Sequence, residues 1–442
     1  MQVTAGKKVI NAWAMYDWAN SVYNLVITST FFPIYFLSVT HRPEWGDGNR
    51  VPFLGFTFIN SSLYDYCISF AYLLIALMYP ILTSIADTRG SKKRFMKVFC
   101  YMGAFGCSML YFFTGAPLWV GIVAFMMGAM GYAGSLVFYN AYLPEIAAPA
   151  DRDHVSAKGF SMGYIGSVIL QLIGFGLVLS MKGNEGQASR ITFMMVGLWW
   201  FGFAQITFFG LPKAVNKPFE KGSVFADGFK EIAKVYRQVR TKPVLKRYLR
   251  AFFFYSMGVQ TVMLAATQFG SKVLELESTK LIVTIVIIQL VAIAGAFLMS
   301  RLSSKFGNLP VLMGVVFFWI LVCLAAYSTA LYKEAGNNAE YPFYGLAVAV
   351  GMVMGGIQAL SRSTYSKLMP TTTDTASYFS YYDFTEKIAI VIGIFTFGAV
   401  HELTEHHGGI KNSILSLIVF FAIGLVWLYS AYYKQRKLAL AA

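Results

Sequence analysis

Leu281-Ile-Val-Thr-Ile-Val-Ile-Ile-Gln-Leu290-Val-Ala-Ile-Ala-Gly-Ala-Phe-Leu-Met299 carries no charge along its whole length, and the run stops at Ser300-Arg301. About 20 predominantly apolar residues are what a helix needs to cross the hydrocarbon core of a bilayer. Working outward from this stretch (span 279–300), the chain shows eleven more: 9–38, 62–86, 95–115, 118–143, 159–181, 191–211, 248–270, 309–332, 342–366, 377–400 and 412–433. The composition agrees. Of 442 residues, 57% are hydrophobic and only 13% charged, with a mean hydropathy of +0.57, whereas soluble domains carry about 25% charged residues. Disordered, collagen-like and disulfide-scaffold chains are excluded. No strand-like alternation runs the length of the chain, as a membrane β-barrel requires. The expectation is an all-α polytopic membrane protein with twelve transmembrane helices.

The net charge of +15 does not indicate a nucleic-acid partner, because the cations sit in short loops between apolar runs. Placing the N-terminus in the cytoplasm puts 27 of them inside: Lys7 and Lys8, the Arg89–Lys97 cluster, Arg152 and Lys158, eleven between Lys213 and Arg250, then Arg301, Lys305, Arg362, Lys367, Lys434, Arg436 and Lys437. Eight fall outside: Arg42, Arg50, Lys182, Arg190, Lys272, Lys280, Lys333 and Lys411. Such a bias sets orientation, so both termini are expected in the cytoplasm. The first span is too long for the apolar region of a cleavable signal and reads as a signal anchor.

The longest inside loop, about 212–247, divides the spans into two sets of six. Phe225, Phe229, Ile232, Tyr236 and Val239 recur in it at helical spacing among Lys and Arg, as in an amphipathic helix on a membrane surface. The predicted organisation is an N-terminal six-helix bundle (1–211), a linker (212–247) and a C-terminal bundle (248–442). A weak repeat supports two pseudo-symmetric halves. Thr83-x3-Asp87-x2-Gly90 with Lys92, Lys93 and Arg94 follows span two; Ser300-x3-Ser304-Lys305-x-Gly307 follows span eight, 217 residues later.

Ala86-Asp87-Thr88-Arg89-Gly90-Ser91-Lys92-Lys93-Arg94 resembles the loop motif of the major facilitator superfamily. Gly90 permits a tight turn, and Asp87 ends span two, where it can meet the positive N-terminal end of another helix. The resemblance implies that this helix is span eleven, with Asp87, Arg89 and Gly90 forming a latch between the halves; the second copy lacks the acid. Three further stretches are similar to the vacuole-effluxer-like branch, long filed as an "unknown" major facilitator group, which includes a fungal vacuolar amino-acid exporter. They are Tyr16-Asp17-Trp18-Ala19-Asn20; Phe138-Tyr139-Asn140-Ala141-Tyr142-Leu143-Pro144-Glu145-Ile146 leading to Val155-Ser156-Ala157-x-Gly159-Phe160 and Gly163-Tyr164; and Gly355-Gly356-Ile357-Gln358-Ala359-Leu360-Ser361-Arg362-Ser363. This implies the major facilitator fold and a secondary transporter of a small polar or zwitterionic solute, an amino acid being favoured. The short loops suit a bacterial inner membrane, and a vacuole-like organelle is also compatible. Partners would be the solute, membrane lipids and a coupling ion such as the proton, with the chain working as a monomer.

Ionisable and amide side chains inside spans are the candidate site. Trp13, Asp17, Asn20 and Asn24 lie at i, i+4, i+7 and i+11, on one helical face; they read as a substrate surface or as a polar seam between helices. Asp383 and Lys387 are four apart and can pair, leaving Glu386 as an extra carboxylate suited to a proton. The alternative is a charge network locking the halves together. Arg362, with Gln358, can grip a carboxylate or phosphate, or anchor the inner end of its span. Asn140, Tyr255, Gln260 and Tyr382 complete the substrate candidates, and Asp17, Asp383, Glu386 and Lys387 the coupling candidates. No cofactor or metal is expected. In His401-Glu402-Leu403-Thr404-Glu405-His406 the second histidine comes one residue late for a zinc motif. His41, His154, His401, His406 and His407 fall in loops or at span ends, and Cys67, Cys100, Cys107 and Cys323 read as packing residues. Tyr64, Asp65 and Tyr66 read as an interfacial belt. No nucleotide-binding loop is present. The rivals are a flippase for an amphiphilic lipid or envelope precursor, which a lateral apolar opening would favour, and a membrane-embedded enzyme.

Overall fold

The computed structural model describes residues 3–41, 50–89, 91–212, 224–404 and 409–441. Gly90, the side chain of Arg89, His406 and His407, the segment 213–223 and the side chains of Phe225, Phe229 and Ile232 lie outside the described residues. The helices are α1 (Lys7–Val22), α2 (Phe32–Thr40), α3 (Asn60–Arg89), α4 (Lys92–Met109), α5 (Leu118–Ile146), α6 (Arg152–Ser180) and α7 (Glu185–Gly210), then α8 (Val224–Thr241), α9 (Pro243–Gln268), α10 (Ser278–Phe306), α11 (Asn308–Glu334), α12 (Glu340–Leu368), α13 (Thr375–Leu403) and α14 (Ile410–Leu440). Among the described residues, eleven helical segments are long and apolar enough to span a membrane. The twelfth spanning helix, α9, is less apolar because its middle holds Tyr255, Ser256, Gln260 and Thr261, which face the interior.

The first span is not one regular helix. Between α1 and α2 lies a π-helical segment, Tyr23–Phe31. Two hydroxyls there bond five residues back, Ser29 to the Asn24 carbonyl at 2.8 Å and Thr30 to that of Leu25 at 2.8 Å. Pro33, just beyond, has no N–H to give the regular ladder. One small sheet departs from the all-helical expectation: β1 (Arg50–Phe53) and β2 (Phe56–Ile59) pair antiparallel. Leu54 and Gly55, both at positive φ, make the two-residue turn. The interfacial-belt reading of α3 needs correction too. Tyr66 is exposed, but Tyr64 is buried and donates to the Thr28 carbonyl of the π segment at 2.8 Å.

The twelve spanning helices form two six-helix bundles with matching neighbours. In the first, α1 packs on α6 and α7 and α3 on α5; in the second, α9 packs on α13 and α14 and α10 on α12. Across the divide α3 meets α13 and α6 meets α10, the same contact generated twice by the repeat. The helix α8 packs on α3 and α13, with Val235 and Val239 buried and Tyr236 exposed.

Twelve crossings put α1's start and α14's end on one face, here called the terminal face. There Asp87 accepts the backbone N–H groups of Ala376 (3.3 Å) and Ser377 (2.8 Å) and the Ser377 hydroxyl (2.9 Å), so it caps α13 from the other half. Lys92 sits 3.4 Å from Asp87 and also pairs with Glu145, and it donates to the Thr375 hydroxyl at 2.7 Å. The pseudo-symmetric contact draws its acid from an unforeseen place. Asp153 in the first turn of α6 takes the Ser303 hydroxyl (2.8 Å), the Asn308 amide (2.7 Å) and Lys367 (2.5 Å). Arg152 is correspondingly not a solvated loop cation. It is buried and donates to the Ser366 carbonyl across the divide at 2.7 Å, from the first position of α6, seven residues before the apolar run.

Candidate functional site

A cavity with roughly 120 Å³ of free space lies between the two bundles. Its floor, on the side of the terminal face, is Arg362 of α12. At about 1.5 Å per residue, Arg362 is some 9 Å inside the end of its helix. It is 3% exposed and enclosed almost entirely by the opposite bundle. Nη1 and Nη2 each lie 3.3 Å from Asp17 Oδ2, and Nη1 also donates to Asn140 Oδ1 at 3.3 Å. Nε reaches the Ser156 hydroxyl (3.0 Å) and Nη2 the Ser156 carbonyl (2.9 Å). Its carbon centre stands 4.2 Å from the Phe160 ring centroid and 4.9 Å from that of Trp13. Desolvating a guanidinium is tolerable only with this density of hydrogen bonds and ring faces.

Local sequence explains how three helices reach one cation. Asp17 also accepts the Tyr139 hydroxyl at 2.7 Å, while Trp13 stacks on the Tyr139 ring (4.4 Å) and donates to its carbonyl. Gly159 opens the space: a Cβ there would stand 2.4 Å from Asp17 Oδ2 and 3.0 Å from Arg362 Nη2. Only a residue with no side chain lets α6 carry Ser156 and Phe160 this close to α1.

The facing wall is α13. Lys387 does not pair with Asp383, as the i, i+4 spacing suggests; it lies 3.2 Å from Glu386 and over the Tyr72 ring at 4.9 Å. Glu386 in turn accepts from Gln260 at 3.3 Å. Asp383 is thereby left over. One oxygen receives the Asn140 amide at a long 3.5 Å, and the other, fully buried, has no hydrogen-bond partner among the described residues. The cavity lining thus carries three carboxylates (Asp17, Asp383, Glu386) and two cations (Arg362, Lys387). Asn140 bridges both poles, accepting from Arg362 and donating to Asp383.

Of the sequence-derived candidates, Asp17, Asn24, Asn140, Tyr255, Gln260, Gln358, Arg362, Tyr382, Asp383, Glu386 and Lys387 line this one cavity. Trp13 and Asn20 do not. Trp13 supports the floor from beneath, and Asn20 is buried with its amide unbonded among the described residues. The sequence reading missed Tyr72, Tyr79 and Tyr132 in the lining, together with Ser156 and Gly159 below it. Tyr72 and Tyr79, seven apart on the face that ends in Asp87, carried a helical-face signal. Among the described residues no group of three His, Cys, Asp or Glu side chains is placed to hold a metal ion, and all four cysteines are free and buried.

A second cavity, roughly 370 Å³, lies toward the opposite face, between the π segment, α2, α3, α9, α10 and α13. Its lining is mainly apolar, with Ile34, Leu37, Ile282, Ile285 and Phe397, and Asp65 belongs to it rather than to a belt alone. Beside it, Gln171 of α6 donates to Thr30 of the π segment at 2.8 Å and accepts from Gln289 of α10 at 2.8 Å.

Two bundles related by a parallel repeat, closed over a polar central cavity, define an integral membrane protein of the major facilitator type, a transporter. Solved structures with this fold overlay nearly the whole chain. The human organic anion transporter MFSD10 (TETRAN) does so with a TM-score of 0.71 at 13% identity, covering 96% of this chain and 99% of that one. The proton:xylose symporter XylE does so with a TM-score of 0.71 at 12% identity, covering 96% and 95%. The chain belongs to the vacuole effluxer Atg22-like family, whose model matches residues 5–152 and 150–440. Its relatives include the MFS-type transporter YxiO of Bacillus subtilis, 29% identical over 94% of this chain and 93% of that protein. Autophagy-related protein 22 of Kluyveromyces lactis is 23% identical over 95% and 92%.

Proposed function

We propose that the chain is a secondary active transporter that carries a small zwitterionic solute, an amino acid being favoured, by alternating access. The observation that carries this reading is the charge arrangement of the central cavity. A buried carboxylate without a counter-cation is costly, and the free oxygen of Asp383 is satisfied by a substrate ammonium or by a proton. A substrate carboxylate has Lys387 and the Arg362 fork on the neighbouring walls. Binding between the bundles then trades contacts that tie them together for contacts to the solute. The family, whose model is described as a vacuole effluxer, supports a transported solute.

In this reading residues 1–211 and 248–442 rock as two bodies joined by 212–247. Asp87 and Asp153 latch the terminal face, and the excess of Lys and Arg on that face makes it cytoplasmic. The protein works as a monomer in a bacterial inner membrane, and Asp383, Glu386 and Lys387 are the groups through which a proton is coupled. The apolar vestibule by Ile282 and Phe397 favours a second reading, export of an amphiphile. Counterflow in proteoliposomes separates them. Exchange of labelled amino acids that is lost in Asp383→Asn supports the zwitterion; exchange confined to lipid-like or purely anionic compounds overturns it.

A further inference from the structure

We propose that the groove between α9 and α14 at the terminal face is a binding site for the phosphate headgroup of an anionic phospholipid. The two helices pack antiparallel along their length, and neither contains a single acidic residue. Their relative height is set by Arg250, whose guanidinium carbon lies 4.5 Å from the ring centroid of Trp427. Seven residues toward the terminal face from that contact lie Pro243 on α9 and Lys434 on α14, both about 10 Å nearer the face. Lys246 and Arg247 therefore stand between these levels, across from the α14 turn that leads to Lys434. Arg436 and Lys437 follow on the exposed end of α14. None of these side chains forms an ion pair among the described residues. Arg250 rests on an indole instead of a carboxylate, an arrangement that leaves its outward N–H groups for an acceptor.

The surrounding side chains fix the depth. Trp427 is half-buried, while Tyr429 and Tyr433 are each 61% exposed, and such rings mark the level of lipid headgroups. Basic side chains contributed by two adjoining membrane helices at that level match a lipid phosphate in charge and position, with the acyl chains running along the apolar outer surfaces of α9 and α14. Orientation alone does not require this convergence. Arg301 and Lys305 at the end of α10 satisfy the charge bias as well, without a facing basic helix or an aromatic collar.

The test uses the full chain in detergent with equimolar phosphatidylglycerol and phosphatidylcholine, with bound lipid counted by native mass spectrometry. The wild type should retain phosphatidylglycerol preferentially. The variant Lys434→Gln/Arg436→Gln/Lys437→Gln, altered only at the end of α14, should lose that preference by on the order of a hundredfold while keeping its Tm in phosphatidylcholine alone. Arg301→Gln/Lys305→Gln should keep it. Equal retention of both lipids by the wild type overturns the proposal, and so does an equal loss in both variants. Displacement of the lipid by millimolar inorganic phosphate also overturns it, by showing a site for soluble anions instead.

Discussion

Gly159→Ala tests whether the Asp17–Arg362 pair is a designed close contact. The added Cβ would stand 2.4 Å from Asp17 Oδ2, against about 3.4 Å for ordinary contact, so the carboxylate must retreat by roughly 1 Å. Tyr139 and Arg362, each 3.0 Å from the same point, block the two sideways escapes. Widening the pair from 3.3 Å by that amount costs about 1 kcal/mol at an effective dielectric near 20. Crowding a packed interior adds about 1–3 kcal/mol. The expected loss is about 2–4 kcal/mol, read as a fall of several degrees in Tm by nanoscale fluorimetry in detergent. Gly176→Ala supplies the control, because the same helix offers open space there, with nothing within 4 Å of the new atom. A Tm for Gly159→Ala that matches Gly176→Ala would refute the reasoning and show that α1 and α6 can part at no cost.

Arg362→Lys keeps the charge but loses the fork that reaches Asp17, Asn140 and Ser156 together; transport in proteoliposomes should fall at least about tenfold. Asp87→Asn removes the charge facing the α13 N-terminus and one of the two carboxylate partners of Lys92, worth about 1–2 kcal/mol. A cysteine introduced at the buried Ser380 should therefore label about 5- to 30-fold faster from the terminal face, and an unchanged rate would argue that Asp87 is a cap without a latching role. Gln289→Leu cuts the hydrogen bond that ties Gln171 to the other half, and at about 1 kcal/mol it should raise labelling from the opposite face by about fivefold.

The architecture was legible because length and apolarity suffice to mark a spanning helix, and charge in the loops does the rest. The half-to-half relation was legible only through Asp87, whose loop keeps its acid. Its counterpart was hidden, because the second copy has Ser304 where the first has Asp87, and the acid is supplied from the partner helix by Asp153. No spacing rule carries an interaction from one strand of a repeat to the other side of the contact. For the same reason the Asp383–Lys387 pairing was misjudged. Helical spacing brings the two within reach, but Gln260 and Tyr72 on other helices turn Glu386 and Lys387 toward each other. Asn20 lies near Asp17 and Asn24 on a helical wheel, yet the cavity face of this helix is centred on Asp17, Ser21 and Asn24, and Asn20 at its edge is buried outside the lining.

The closures on the two faces differ in kind, and this difference bears on what drives the cycle. On the terminal face the halves are joined by charged groups in buried surroundings: Asp87 on α13, Asp153 with Lys367, and Arg362 with Asp17. Toward the opposite face the described bond across the divide is neutral, amide to amide between Gln171 and Gln289. Charged hydrogen bonds contribute about 1.5–3 kcal/mol and neutral ones about 1 kcal/mol, so this structure has its firmer closure on the terminal side. A ligand can shift such a balance only by its differential affinity for the two states. In the transport cycle proposed above, Arg362 and Asp383 would be the two places where a bound solute acts on the firmer closure directly, since both are held by Asn140 from the other bundle. Opening the terminal face therefore requires that the solute satisfy at least one of them, and a compound that fills the cavity without touching either should bind without being carried.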